Sequence, residues 1–185
     1  MQWETKRKIF ITAISQALQE IGAIKHQEVQ LASGETSNLY IDLRLVFGNP
    51  KWFLKTQEAF ANLILEKTPQ FDGFATVPTA GLPFTAGLAL KFEKPFFYIR
   101  GSKKEHGLHK IIEGGDVKGL KLVVIDDLIS SGHSKLPAID VLRDGGAIVE
   151  DVCVIIDREL GGKTTLKQQG INLHAVALIS ELKMS

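Results

Sequence analysis

An α/β fold, with a mostly parallel sheet and helices on both of its faces, is the architecture this sequence predicts. Three observations lead there. Short apolar runs at Gly73–Val77, Pro95–Ile99, Leu120–Ile125, Asp151–Ile156 and Leu173–Leu178 have the length and near-continuous apolarity of strands buried on both faces. Helical spacing separates several of them, notably over Leu82–Phe92 and Leu136–Gly145, and strands alternating with helices close into a parallel sheet. Finally, 185 residues with 44% hydrophobic content suit one domain, residues 1–185, and supply a core for it.

The remaining elements follow in chain order. Ile9, Ala13, Ile14, Ala17, Leu18 and Ile21 recur at helical spacing, and Gly22 is a plausible stop. Between Val29 and Asp42, Ser33-Gly34 and Asn38 interrupt strand-like residues such as Leu39, Tyr40 and Ile41, which predicts a hairpin or a bent strand pair. A second helix is expected from about Pro50 to Lys67, with Phe53, Ala59, Phe60, Leu63 and Ile64 on its apolar face. No repeat, low-complexity tract or linker divides the chain.

Composition removes several function classes. The formal charge is +1, so no global bias draws the chain to nucleic acid or to an acidic membrane. Met1–Gly22 is charged and amphipathic, and no segment reaches the roughly 18 uninterrupted apolar residues of a membrane span. Cys153 is the only cysteine and lies in an apolar run, which excludes an internal disulfide and predicts a buried, inert thiol. A cytoplasmic protein with no membrane or nucleic-acid partner is expected.

Ligands of open α/β sheets bind outside the carboxyl ends of the strands. Here those ends are Val77 to Gly81, Ile99-Arg100-Gly101, Ile125-Asp126-Asp127 and Ile156-Asp157-Arg158. The third is the most informative. Val123 to Ile125 runs into two adjacent carboxylates, then into Ser130, Ser131, Gly132, His133 and Ser134, then into a helical pattern. Paired acids at a strand end serve metals, sugars or plain helix capping. A cap needs one hydroxyl, however, whereas several hydroxyl and backbone N–H donors at a helix start suit a phosphate. Together they describe a site for a phosphorylated sugar. The rival phosphate device, Gly-x-x-x-x-Gly-Lys-Ser/Thr, does not occur.

Arg100 to Lys110 holds four basic residues and one acid without an apolar face. It reads as a solvated loop, as a nucleic-acid patch, which the lack of interleaved aromatic residues disfavours, or as a mobile lid that covers a polyanion and neutralises a leaving group, with Gly101 and Gly107 as hinges. Thr79-Ala80-Gly81 is either a simple turn or a backbone donor to phosphate. Asp157-Arg158 is either a surface pair or the source of a planar fork for a substrate carboxylate. His26, His109 and His174 lack metal-like spacing, and Trp3 and Trp52 read as packing residues.

With these segments assembled, the chain resembles the type I phosphoribosyltransferases, and within them the orotate phosphoribosyltransferases. Val123 to Ser134 is similar to the phosphoribosyl-pyrophosphate signature of the superfamily. Leu31 to Ser37 leading into Tyr40-Ile41-Asp42-Leu43-Arg44, Arg100 to Gly107 with Ile112-Glu113-Gly114, and Asp157-Arg158-Glu159 with Gly161-Gly162 are similar to motifs of the orotate subfamily. The resemblance implies a type I phosphoribosyltransferase fold with a small N-terminal hood. It implies transfer of ribose 5-phosphate from phosphoribosyl pyrophosphate to orotate in pyrimidine biosynthesis, with Mg²⁺ bound mainly through the donor. Lys104 and His106 would be catalytic loop residues meeting the pyrophosphate, with Arg100 and Lys103 beside them. Asp126 and Asp127 would hold the ribose hydroxyls, Ser130 to Ser134 the 5′-phosphate, and Thr79, Ala80 and Gly81 the pyrophosphate. Arg158 would pair with the orotate carboxylate, while Ser33, Gly34 and Tyr40 border the base. No protein metal ligands are implied, and the loop would be shared across a homodimer.

The chain departs from that pattern at several points. Gly101 stands where many members carry lysine, and Ala32 and Ala80 where some members do and others do not. His133 replaces a small residue, and Lys135 occupies a position that is commonly apolar. Two alternatives stay open: a phosphoribosyltransferase for another base, and a ligand-sensing regulator without turnover.

Overall fold

The computed structural model describes residues 2–27, 29–30, 36–100 and 111–183. Its centre is a six-stranded sheet in the order β10-β9-β8-β5-β6-β7, formed by β5 (Gly73–Thr76), β6 (Phe96–Ile99), β7 (Ile112–Glu113), β8 (Lys121–Ile129), β9 (Ile148–Asp157) and β10 (Asn172–Leu178). Every neighbouring pair is parallel except β6 and β7. The mostly parallel sheet is therefore borne out, and each of the five apolar runs is a strand.

Alternation along the strands sends side chains to two cores, one on each face. Val123 and Ile125 of β8 join Phe74, Cys153 and Ile155 against α1 (Trp3–Glu20), α2 (Pro50–Lys67) and α3 (Gly81–Phe92). Leu122 and Val124 join Ala75, Val152 and Val154 against α4 (Leu136–Asp144) and α5 (Gly162–Gln168). Phe47, Phe53, Phe60 and Phe84 interlock where α2 meets α3, with ring centroids 5.1–5.7 Å apart. Asn49 caps α2 by accepting from the Trp52 N–H at 3.3 Å, and Pro50 opens its first turn, as the sequence leads one to expect. Trp3, Trp52 and Cys153 are buried, and burial pushes the Cys153 thiol far above its ordinary range.

Ahead of the sheet lie two small antiparallel ladders. β1 (Ile24–Lys25) pairs with β4 (Tyr40–Ile41), and β2 (Val29–Gln30) pairs with β3 (Thr36–Ser37). A 3-10 turn over Leu43–Gly48 leads into α2. The expected hairpin exists, and the chain from Leu39 into β4 meets the carboxyl end of the large sheet, where Arg158 donates to the Leu39 carbonyl oxygen, as the anticipated hood.

Three features differ from the sequence reading. The two-residue β7 is too short to leave a pattern, and α5 is mostly polar, with Leu166 as its buried side chain apart from Gly162. More important for the site, β8 does not stop at Ile125. β5 makes its last pairing at Thr76↔Ile125, whereas β9 carries β8 onward through Asp126↔Val154 and Leu128↔Ile156 to Ile129↔Asp157. The acid pair consequently lies within the strand, on an overhang.

Candidate active site

Strand β5 leads through α3 to β6 on one side, while β8 lies on its other side, so the chain reverses direction across the sheet between β5 and β8. At such a switch point the loops part and leave a crevice. A cavity of about 680 Å³ opens there. Thr79, Ala80, Asp126, Asp127, Ser130 to Lys135, Tyr40, Asp42, Arg44 and Arg158 are among the residues that line it. Four segments that the sequence flagged separately thus converge on one space.

The overhang of β8 places the acids on the cavity wall. Asp126 is buried; its Oδ1 accepts the Asp127 N–H at 2.9 Å, and its Oδ2 meets the Lys135 ammonium. Asp127 accepts the Leu128 N–H at 2.8 Å. Burial first, then the neighbouring Asp126 charge, pushes the Asp127 carboxyl up to about 7. Two acids in sequence, one backed by a lysine and the other poorly solvated, form the negative wall.

Past Ile129 the chain turns through Ser130 to Ser134, all of which face the cavity. Gly132 has φ +84, and a Cβ there would stand 3.3 Å from Gly162 Cα. Gly162 in turn would bring a Cβ to 2.6 Å from the Ser130 carbonyl oxygen. The glycine of the phosphate-loop motif and the one that opens α5 therefore allow the loop to pack flat on its neighbour.

Thr79 and Ala80 also line the cavity. Gly81 does not: it is buried behind them, and a Cβ on it would lie 2.2 Å from Thr76 Oγ1 and 2.8 Å from the Ile125 carbonyl oxygen. Its lack of a side chain lets α3 approach the end of β5.

Arg158, at the end of β9, is buried and donates from Nη2 to the Leu39 carbonyl oxygen at 2.9 Å. It ties the sheet to the hood directly before Tyr40. Asp157 next to it turns away and lines a second cavity of about 200 Å³. On the hood side Arg44 forks onto both oxygens of Asp42, at 2.6 and 3.0 Å, and also donates to the Tyr40 hydroxyl at 2.6 Å. That fork holds the Asp42 carboxyl below its usual range.

Arg100 lies outside the cavity lining. Its Nη1 reaches Glu113 Oε1 at 3.4 Å and its backbone N–H donates to the Ile111 carbonyl oxygen, which closes the base of the basic segment at β6 and β7. Ser33, Gly34, Lys103, Lys104 and His106 lie outside the described residues. Asp42, Arg44 and Lys135 line the cavity without having been singled out as site residues. Asp42 and Arg44 were visible as part of a motif, and Lys135 as a departure from one.

Among the described residues no group of three or more His, Cys, Asp or Glu side chains is placed to hold a metal. An adjacent carboxylate pair on a polar cavity suits instead a Mg²⁺ ion that arrives on substrate phosphates, which is how that ion is usually bound. Nor is any helix among the described residues long and apolar enough to cross a membrane.

A crevice at the switch point, an acid pair and a hydroxyl loop define a phosphoribosyl-binding α/β domain, and the sequence model of the phosphoribosyl transferase domain matches residues 46–168. The orotate phosphoribosyltransferase of Pyrococcus horikoshii is 36% identical over 165 residues, covering 87% of each chain. That of Cenarchaeum symbiosum is 34% identical over 178 residues, 95% of this chain and 89% of the relative. The crystal structure of orotate phosphoribosyltransferase from Aeropyrum pernix superposes with a TM-score of 0.80 at 32% identity, covering 90% of this chain and 94% of that one. The chain belongs to the phosphoribosyl transferase family, in its orotate phosphoribosyltransferase branch.

Proposed function

We propose that this protein, as one domain over residues 1–185, transfers ribose 5-phosphate from phosphoribosyl pyrophosphate to N1 of orotate, forming orotidine 5′-monophosphate and pyrophosphate. One observation carries the reading: the acid pair on the β8 overhang shares one cavity with the Ser130–Ser134 loop and with Arg158. Groups suited to the donor and to the acceptor thus line one space.

In the reaction the C1′–O bond breaks with its electron pair leaving on pyrophosphate, and the C1′–N1 bond forms from the orotate anion. Breaking runs ahead of making, because the ring oxygen shares the positive charge at C1′. Orotate is acidic enough that no dedicated base is needed. Asp126 and Asp127 hold the ribose hydroxyls and place negative charge near the developing cation. Ser130 to Ser134 take the 5′-phosphate, and Thr79 and Ala80 border the pyrophosphate, with Gly81 shaping that wall from behind. Lys104 and His106, with Lys103 and Arg100 at the loop base, bring positive charge to the departing group. Mg²⁺ on the donor's oxygens supplies further positive charge when bound. Arg158 pairs with the orotate carboxylate, while Tyr40, with Ser33 and Gly34, borders the base. The enzyme works in the cytoplasm.

The direct test mixes the protein with Mg²⁺, phosphoribosyl pyrophosphate and orotate and follows the loss of orotate absorbance. Turnover with another base but none with orotate would overturn the acceptor assignment, and no turnover with any base would overturn the enzyme reading.

The working unit in this proposal is a homodimer whose basic loops reach into the partner's site. Lys104→Ala should lower kcat by about 10²–10³, as loss of a charge acting on the transition state does, with little effect on orotate binding. Mixing that variant with an Asp126→Asn, Asp127→Asn double variant should restore activity, since hybrid dimers then hold one intact site. Mixtures as inactive as their components would rule out loop sharing.

A further inference from the structure

Lys135 is unusual because its side chain is turned inward on the lining of the cavity. A lysine that opens a helix on the surface ordinarily extends into water. Here it is 16% exposed, and its ammonium meets the Oδ2 of Asp126, which is itself 7% exposed. Desolvation and lost rotamer freedom both oppose that placement, so the contact has to offset them. The other cavity-lining arginines are engaged on the hood side: Arg44 with Asp42 and Tyr40, Arg158 with the Leu39 carbonyl. Among the described residues, Lys135 is the cation in direct contact with the acid pair.

The phosphoribosyl pyrophosphate assigned to this cavity is a polyanion, and two adjacent carboxylates repel it. We propose that Lys135 is a positioning residue of the donor site, a resident counter-charge that fixes the Asp126 carboxylate and lets a phosphorylated ribose settle over two acids. The geometry permits this without any displacement of the lysine. Asp126 gives one lone pair of Oδ1 to the Asp127 N–H and one of Oδ2 to the ammonium, and a carboxylate has about four such positions. Two remain for ribose hydroxyls, now held in a fixed direction. The 5′-phosphate loop runs from Ser130 to Ser134 directly ahead of Lys135, so the ammonium serves the ribose phosphate half of the donor and not the leaving pyrophosphate.

This rests on the activity proposed above, and the experiment separates the two. Wild type is assayed first; if it turns over no substrate, the activity reading fails. With wild type active, Lys135→Gln should raise the KM for phosphoribosyl pyrophosphate by about tenfold or more, as loss of one partner of a desolvated charge pair does, with the KM for orotate changed less than about twofold. In the reverse direction the KM for orotidine 5′-monophosphate should rise in step and that for pyrophosphate should not. Lys135→Arg should recover most of the loss, and the salt dependence of donor KM should be shallower in the Gln variant than in wild type. Lys135→Met is made in parallel, so that a folding failure in one neutral variant leaves the other, with thermal unfolding confirming the fold of each. An unchanged or lower donor KM in a folded neutral variant would overturn the proposal, and so would a weakening confined to pyrophosphate.

Discussion

The two walls of the cavity are built in opposite ways. The wall proposed for the donor, Asp126 to Lys135, is one continuous segment: a strand end, a loop and the start of a helix, stiffened by β9 alone where β8 overhangs β5. The wall proposed for the acceptor is pieced together from Tyr40, Asp42 and Arg44 of the hood and from Arg158 just past β9, joined by a hydrogen bond between residues 119 positions apart. A local segment carries its chemistry wherever the sheet forms. A wall made across the chain exists only once hood and sheet have docked. Damage to the first should therefore remove the chemistry, whereas damage to the second should alter what is accepted.

The largest expected effect is on the donor wall. Asp126→Asn with Asp127→Asn should lower kcat/KM for the donor by about 10³-fold or more, since both charges near the developing cation are lost. Steady-state kinetics within tenfold of wild type would break the distinction between the walls at once. Next comes Arg158→Lys, which keeps the charge but loses the planar fork. The expected result is a KM for orotate raised roughly 10–100-fold with the donor KM nearly unchanged. Equal loss for both substrates would mean that Arg158 supports the whole cavity through Leu39 and not the acceptor.

A subtler effect concerns pH. Asp127 holds its proton up to about 7 in the folded chain, against an ordinary 3.8. Between those values the folded state binds more protons than the unfolded one, so Asp127 destabilises the fold progressively as pH rises through that window, fully above about 7 and not at all below 3.8. Asp127→Asn should therefore gain thermal stability over wild type at pH 8 and lose that advantage near pH 4. For the free enzyme, kcat/KM for the donor should also fall below about pH 7, where the acid pair loses one charge. The smallest change expected is in Tyr40→Phe. It removes the hydroxyl that accepts from Arg44 at 2.6 Å, and a hydrogen bond to a charged group is worth about 1.5–3 kcal/mol at most. Arg44 is itself half-exposed and keeps its fork on Asp42, so orotate KM should rise only a few-fold.

Much of this was legible from residues alone, and the reasons are local. Strands β5, β6, β8, β9 and β10 were read from apolar runs because each packs apolar side chains into the cores beside the sheet. α1 to α4 were read from apolar periodicity and from breakers such as Gly22 and Pro50. The donor motif was legible because its acids, serines and glycine are consecutive. What escaped had no local signature. α5 is polar around a single buried leucine, and β7 is two residues long. Gly81 reads in sequence like part of a phosphate-binding turn. In space it is the point where α3 passes Thr76 and Ile125, too close for any Cβ.

By itself, then, the sequence determined the alternation of strands and helices, the two-faced core and the chemistry carried on the Asp126–Ser134 segment. Each depends on side-chain types at short, regular spacing. Only the tertiary structure decided that β8 outruns β5 and sets its acids on the wall of the cavity, that Lys135 turns back onto Asp126, and that Arg158 meets the hood at Leu39. Those outcomes depend on register between strands and on approach between distant segments, which are settled by the packing of the whole chain and leave no periodic trace in any part of it.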